Sequence, residues 1–130
     1  MSIPYSYTLQ EKEGNRTHIK EVKGVVSFND HELLFEYKLY DLAGNSISTL
    51  NKFGLELDLL KRVEYKGGWF TGGKLVFQAR QLVFFEPLPG SEQGKISLNI
   101  DRSHRNDAIE FSSRLNLDMS EKRLRDLEGD

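Results

Sequence analysis

The residues that could do chemistry are few and widely spaced in this chain. Its three histidines, His18, His31 and His104, do not form a metal-ligand spacing such as H-E-x-x-H, and cysteine is absent, which excludes disulfides and thiolate metal sites. The serines form no G-x-S-x-G nucleophile elbow. Glu56 and Asp58 share a strand face that we expect to be solvated rather than a water-poor cleft. The sequence therefore predicts no catalytic residue, no metal and no cofactor, and we expect no enzymatic activity.

One segment combines basic and aromatic side chains, and it is the strongest candidate for a binding site. Aromatic residues interleaved with lysine and arginine can stack on bases or anchor a peptide. Alternatively, the tryptophan packs in the core and the lysines are simply solvated, and the sequence leaves both interpretations open. The candidate partner-binding residues are Lys61, Arg62, Lys66, Trp69, Phe70 and Lys74.

Glycines bracket the aromatic residues of this segment, at positions 67–68 and 72–73. The segment lacks the Lys-Ser/Thr of a Walker motif and a following helix, so it does not predict a phosphate-binding loop. We expect these glycines to adopt positive φ in tight turns.

Composition limits the classes of protein to which the chain can belong. The 130 residues carry a formal net charge of −2, and 38% of them are hydrophobic. This length suits one domain, and a near-neutral chain lacks the positive charge that drives nucleic-acid binding. No apolar run approaches the ~18 residues of a transmembrane helix, and the N-terminus does not resemble a signal peptide. We therefore expect a cytoplasmic protein without a nucleic-acid partner or a transmembrane segment.

Strand periodicity dominates the chain as far as residue 101. Apolar and polar residues alternate as in strands with one buried face. Asn29-Asp30 predicts a hairpin turn, and a break in phase predicts a bulge or helical turn near residues 60–62. We expect a loop over residues 10–17. The predicted strands lie at 5–9, 25–28, 33–39, 55–59, 74–80, 95–101 and, as a more buried run, 82–86.

The period changes to that of an amphipathic helix after residue 101. The pattern predicts a helix at about 103–116, capped by Asp101 or Ser103. Asp118 or Ser120 then predicts the cap of a second short helix at about 121–127. The sequence thus predicts a mainly β (α+β) fold, with six or seven antiparallel strands in a partly open barrel or a sandwich, capped by a C-terminal helix. We expect a single domain over residues 1–130. Its core spans about 18–116, with an N-terminal strand or extension at 1–17 and a short helix and tail at 117–130.

The order of these segments resembles the bacterial pleckstrin-homology-like (PH-like) domains. The resemblance rests on residues 32–37, 57–63, 72–77, 96–100 and 104–111, and it covers roughly residues 20–116. It implies a small strand-rich barrel closed by a C-terminal helix. Eukaryotic members of that fold often bind phosphoinositides through basic residues around the first hairpin, but the corresponding turn here, residues 29–32, is acidic. Phosphoinositide binding is therefore not supported.

A well-patterned core without a catalytic set is typical of a binding or scaffold domain. We expect a protein partner, engaged through a sheet edge or through the aromatic loop, and self-association into a homo-oligomer is a further expectation. The alternative is a small β-barrel carrier of an apolar molecule or lipid, because aromatic residues on strand faces can line a ligand cavity.

Overall fold

A computed structural model describes residues 1–68, 70 and 72–128 of the chain. Strands form the largest part of it, and one long helix follows them, as the sequence predicts. The elements are β1 (Ser2–Glu13), β2 (Arg16–Phe28), β3 (Glu32–Tyr40), β4 (Asn51–Glu56), β5 (Leu60–Lys66), β6 (Gly73–Ala79), β7 (Lys95–Ile100) and α1 (Arg105–Glu128).

The seven strands form one antiparallel sheet in the order β4-β3-β2-β1-β7-β6-β5, and the sheet is not closed. β1 is the central strand. It pairs with β2 along its whole length, but it joins β7 only at Ser6 and Asn99. The sheet therefore consists of a four-stranded half and a three-stranded half that meet at a single bridge. The predicted mainly β fold with a C-terminal helical cap is confirmed.

The N-terminal segment is a long β-hairpin, so the prediction of a loop over residues 10–17 is wrong. β1 and β2 pair as far as Glu13 and Arg16, and Gly14 takes a positive φ of 64° in the turn between them. Glycine adopts this conformation without steric cost, which is why the chain can reverse here. The first residues belong to the core, because Tyr5 and Leu9 of β1 are buried.

The predicted hairpin turn before β3 and the predicted irregularity near residues 60–62 are confirmed. Asn29 Oδ1 accepts hydrogen bonds from the backbone N–H groups of His31 at 2.7 Å and Glu32 at 2.9 Å, which fixes the β2–β3 turn. The break in phase near residues 60–62 corresponds to a register shift between Leu60 and Arg62. The predicted strand at 55–59 is wrong beyond Glu56, because Leu57–Leu59 form a 3₁₀ turn.

Residues 82–86 are not a buried strand. They contain a 3₁₀ turn at Leu82–Phe85, in which Leu82 and Val83 are 63% and 52% exposed and only Phe85 is fully buried. The prediction failed because an apolar run this short does not distinguish a strand from a turn that buries one of its side chains.

One continuous helix replaces the predicted helix at about 103–116 and the predicted second short helix at about 121–127. Asp101 caps the 3₁₀ turn at Arg102–His104 that leads into α1 by accepting a hydrogen bond from Ser103 N at 3.0 Å. Asp118 and Ser120 lie inside α1 rather than at the start of a second helix, because the buried stripe continues through this region. That stripe consists of Ala108, Phe111, Ser112, Leu115 and Met119.

The core lies between the inner face of the sheet, α1 and the 3₁₀ turn at Leu82–Phe85. Its largest fully buried side chains are phenylalanines that contact one another edge to face. Phe35 lies 5.4 Å from Phe77 and 6.0 Å from Phe85, and Phe77 lies 6.4 Å from Phe111, measured between ring centroids. Such contacts add to the stabilisation gained from burial alone. Phe111 and Leu115 of α1 are fully buried, as the amphipathic pattern of the predicted helix requires.

Candidate functional site

The structure brings three of the predicted site residues together on the outer face of the β5–β6 hairpin. Arg62 and Lys66 are exposed residues of β5, and Lys74 is an exposed residue of β6. Lys66 lies directly opposite Lys74 in the antiparallel register. This arrangement follows from strand geometry, in which alternate side chains share a face.

The other three predicted residues are placed differently. Lys61 lies at the register shift of β5, where it is exposed and its carbonyl group accepts a hydrogen bond from Arg123 Nη2 at 3.2 Å. Phe70 lies in the loop between β5 and β6, and 84% of its surface is exposed. Trp69 falls outside the described residues, so its predicted role stays a prediction.

Sequence reasoning missed a fourth cation on this face. Lys95 of β7 lies opposite Gln78 of β6, which in turn lies opposite Arg62 of β5. The three strands therefore align Arg62, Gln78 and Lys95 in one row. Lys95 begins a strand with clear alternation, but no sequence signal shows that β7 pairs with β6. We refer to Arg62, Glu64, Lys66, Lys74 and Lys95, together with Phe70, as the hairpin face.

One acid lies between the cations of the hairpin face. Glu64 contacts Arg62 at 3.7 Å and Lys66 at 3.9 Å, and Arg62 Nε donates a hydrogen bond to Gln78 Oε1 at 2.9 Å. These side chains are about half exposed, so each ion pair contributes little to stability. The four cations exceed the one acid, and the face therefore carries an excess of positive charge.

The glycines of this hairpin serve a purpose that differs from the predicted one. Gly67 and Gly73 do not have positive φ. A Cβ atom on Gly73 would lie 2.1 Å from the Tyr65 hydroxyl oxygen, and one on Gly67 would lie 2.9 Å from it. The missing side chains therefore allow the Tyr65 ring to pack across the base of the loop that carries Phe70.

Residues 29–32 form the turn that, by the sequence resemblance, corresponds to the phosphoinositide site of eukaryotic PH domains. This turn lies against the C-terminal half of α1. The cavity between them has a volume of about 340 Å³, and its lining contains three carboxylates. One of its two long cations, Lys122, already pairs with Asp58 at 3.2 Å. An anionic ligand would meet repulsion here. The lining residues are Asp30, His31, Asp118, Glu121, Lys122 and Arg125.

Metal ligands do not converge in the part of the chain that the structure describes. Within residues 1–68, 70 and 72–128, no group of three or more His, Asp or Glu side chains could hold a metal ion. His18 and His104 are partly exposed and lie near Glu13 and Asp107, at 3.4 and 3.9 Å. The interior that an apolar ligand would need is filled by the phenylalanine cluster of the core.

Three tyrosines lie on the inner face of β1 and β3. Burial raises the pKa of the Tyr5, Tyr7 and Tyr37 hydroxyls above that of a free tyrosine, most strongly at Tyr5 and Tyr7, where neighbouring tyrosines add to the effect. Tyr7 donates a hydrogen bond to the Pro89 carbonyl oxygen at 2.6 Å. The Tyr5 hydroxyl is buried and has no hydrogen-bond partner among the described residues. Burial therefore favours the neutral form of the three hydroxyls.

Replacing Tyr5 with phenylalanine is expected to leave the free energy of unfolding at pH 7 nearly unchanged and to reduce its loss in alkali. Unfolded tyrosines ionise near pH 10, whereas the folded state holds these protons, so stability falls as the pH rises above about 10. Tyr5→Phe removes one such group. Tyr7→Phe is the matched comparison, and it should cost about 1 kcal/mol at pH 7 through its hydrogen bond. Urea unfolding at pH 7 and pH 11 measures both, and equal costs at pH 7 would contradict the different environments of the two hydroxyls.

Comparisons with protein-family models, curated proteins and solved structures yield no match for this chain. None of the helices among the described residues combines the length and apolar character that a membrane span requires.

Proposed function

We propose that this chain is a non-enzymatic protein-binding domain of PH-like architecture, and that its hairpin face docks an acidic segment of a partner protein. A bacterial origin, which follows from the sequence resemblance, and a cytoplasmic location belong to the same proposal. The PH-like assignment is supported by the order of the elements, with four strands followed by three and a single C-terminal helix.

The observation that carries the proposal is the pairing of Lys66 with Lys74 at the end of the hairpin whose loop carries an exposed Phe70. Like charges directly opposite each other in a sheet are destabilising. A fold that keeps two lysines in this position gains from an anionic partner that lies between them. Phe70, in the loop that joins the two strands, offers an exposed apolar side chain of the kind that anchors many protein interfaces.

The charge pattern favours a protein partner over a membrane surface. Glu64 separates Arg62 from Lys66 along β5 and contacts both. A membrane of anionic lipids attracts uniformly basic segments, and an acid at the centre of the face would oppose that attraction. A polypeptide can instead match alternating charges with its own side chains and so gain specificity.

Selection of peptides from a displayed random library tests the proposal. The native chain should enrich peptides in which acidic residues flank an apolar one. The double variant Lys66→Glu/Lys74→Glu should bind the selected peptides at least tenfold more weakly, because one charge reversal alone can cost about 1 kcal/mol or more of binding. Phe70→Ala should weaken binding by a comparable factor.

Lys12→Glu is the matched control, because Lys12 is an exposed strand residue of β1 that lies opposite Thr17 in the other half of the sheet. It should leave peptide affinity unchanged. Selected peptides without acidic residues, or equal binding to the native chain and the double variant, would contradict the proposal. Binding to phosphatidylserine vesicles without any peptide enrichment would replace the protein partner with a membrane.

A further inference from the structure

The two edge strands of the sheet differ in whether another element covers their free side, and α1 covers that of β5. Asn116 Nδ2 donates a hydrogen bond to Val63 O at 2.9 Å, and Arg123 Nη2 donates one to Lys61 O at 3.2 Å. These carbonyl groups would otherwise be available to a strand from another chain. The helix therefore protects β5 from pairing.

The β4 edge has no comparable cover among the described residues. Its residues pair with β3 on one side. Within residues 1–68, 70 and 72–128, no backbone hydrogen bond from another element reaches the opposite side of Asn51–Glu56. A free row of N–H and C=O groups is a template for a further strand. The open edge of this sheet is therefore β4.

Gly54 lies in the middle of the β4 edge, and the chain itself gives no backbone reason for a glycine there. A Cβ atom would meet the Glu32 carboxylate, at 2.8 Å, and the nearest backbone atom, Leu33 O, lies 4.0 Å away. Glycine weakens the interior of a strand and often marks a place where another backbone approaches closely. Gly54 therefore leaves the exposed face of β4 without a side chain between Lys52 and Glu56.

We infer that two copies of this chain associate by pairing their β4 strands antiparallel about a twofold axis at Gly54. In this register Lys52 of each copy lies opposite Glu56 of the other, and Phe53 lies opposite Leu55. Lys52, Gly54 and Glu56 are the exposed residues of β4. The opposite charges therefore meet twice on one exposed face, and such self-complementarity suits an isologous dimer.

The charges of β3 favour the same register. Within one chain Glu56 lies directly opposite Glu32, which is a destabilising arrangement of like charges. Lys52 of the second copy brings a cation beside these two carboxylates. Within its own chain Lys52 lies opposite Glu36, so charges of both signs are present on each side of the axis.

Apolar surface is also present on the turn that packs against β4. Phe85 of this turn lies 6.1 Å from Phe53, measured between ring centroids. The same turn carries Leu82 and Val83, which are among the exposed large hydrophobic residues. Their burial against a second copy would favour the dimer without the salt sensitivity of the ion pairs.

Sedimentation velocity across a concentration series up to the millimolar range tests the inference by charge reversal. The native chain should form a dimer. Lys52→Glu and Glu56→Lys should each weaken dimerisation by about tenfold or more, because each turns two attractive pairs into two repulsive ones. An equimolar mixture of the two variants should dimerise again. In the mixed dimer the glutamates at positions 52 and 56 of one chain face the lysines at positions 56 and 52 of the other.

Lys12→Glu is the control, because it makes the same change of charge on an exposed residue of the β1–β2 hairpin. It should dimerise like the native chain. A native chain that stays monomeric, variants that dimerise normally, or a mixture that stays monomeric would each overturn the inference. Far-UV circular dichroism confirms that the variants are folded. The inferred dimer is independent of the hairpin face, because the substitutions Lys66→Glu/Lys74→Glu lie in β5 and β6 and do not change β4. Loss of peptide binding in that variant therefore does not test the dimer.

Discussion

Replacement of Gly24 with alanine is expected to lower the free energy of unfolding by about 3 kcal/mol or more. A Cβ atom at this position of β2 would lie 1.9 Å from the Glu36 carbonyl oxygen and 2.8 Å from the Tyr37 Cα atom. Both atoms belong to the backbone of β3. Because β3 is paired on both sides, with β2 and with β4, it cannot move away without breaking hydrogen bonds in two ladders.

Urea unfolding followed by circular dichroism at low protein concentration measures this loss. Gly54→Ala is the matched control, because it makes the same chemical change inside another strand. The atom nearest to its Cβ is at the end of the flexible Glu32 side chain, 2.8 Å away. We expect the control to change stability by no more than about 0.5 kcal/mol. Equal effects at both positions would mean that β2 and β3 can separate locally without cost.

The element types that could be predicted from sequence are those with a strong hydrophobic period. Phe35 and Tyr37 of β3 alternate with polar residues, and the structure buries them. The turn at Asn29 was predictable because its side chain supplies the hydrogen bonds locally. In each case the information lies within a few neighbouring residues, and tertiary contacts agree with it.

The elements that could not be predicted depend on partners that are distant in sequence. The tip of the β1–β2 hairpin is polar throughout, so only its pairing reveals that it is a strand; Lys20 contacts Glu11 across it at 3.0 Å. α1 continues past residue 116, where the first helix is predicted to end, because Met119 packs in the core and Asn116 donates a hydrogen bond to β5. Neither the pairing of this hairpin nor the packing of α1 can be inferred from the intrinsic propensities of the local sequence.

The candidate site was predictable in part, for the same reason. Arg62, Lys66 and Lys74 are close in sequence and lie on adjacent strands, so a hairpin brings them together. Lys95 joins them only because β7 pairs with β6 across a long connection. The free edge at β4 could not be predicted from the sequence, because the order of strands in the sheet decides which strand lies at an edge.

Replacement of Phe111 with alanine is expected to lower the free energy of unfolding by about 3–5 kcal/mol, because large-to-small changes in a core lose burial and leave a cavity. Phe111 is fully buried on α1, and its ring centroid lies 5.0 Å from that of Phe28 and 6.4 Å from that of Phe77. Phe28 ends β2 and Phe77 lies in β6. One side chain therefore joins the helix to both halves of the sheet.

Leu117→Ala is the matched control for Phe111→Ala, because Leu117 lies on the same helix but is 57% exposed. Its cost should stay within about 0.5 kcal/mol, since it removes few core contacts. Guanidinium unfolding measures the free energy of unfolding of both variants. Because both replace a helix residue with alanine, the difference between them reports the core packing of α1 rather than its helix propensity. A cost below about 1 kcal/mol for Phe111→Ala would mean that α1 does not hold the two halves of the sheet together. The β5 edge would then open as readily as β4, because the two helix side chains that cover it depend on that packing.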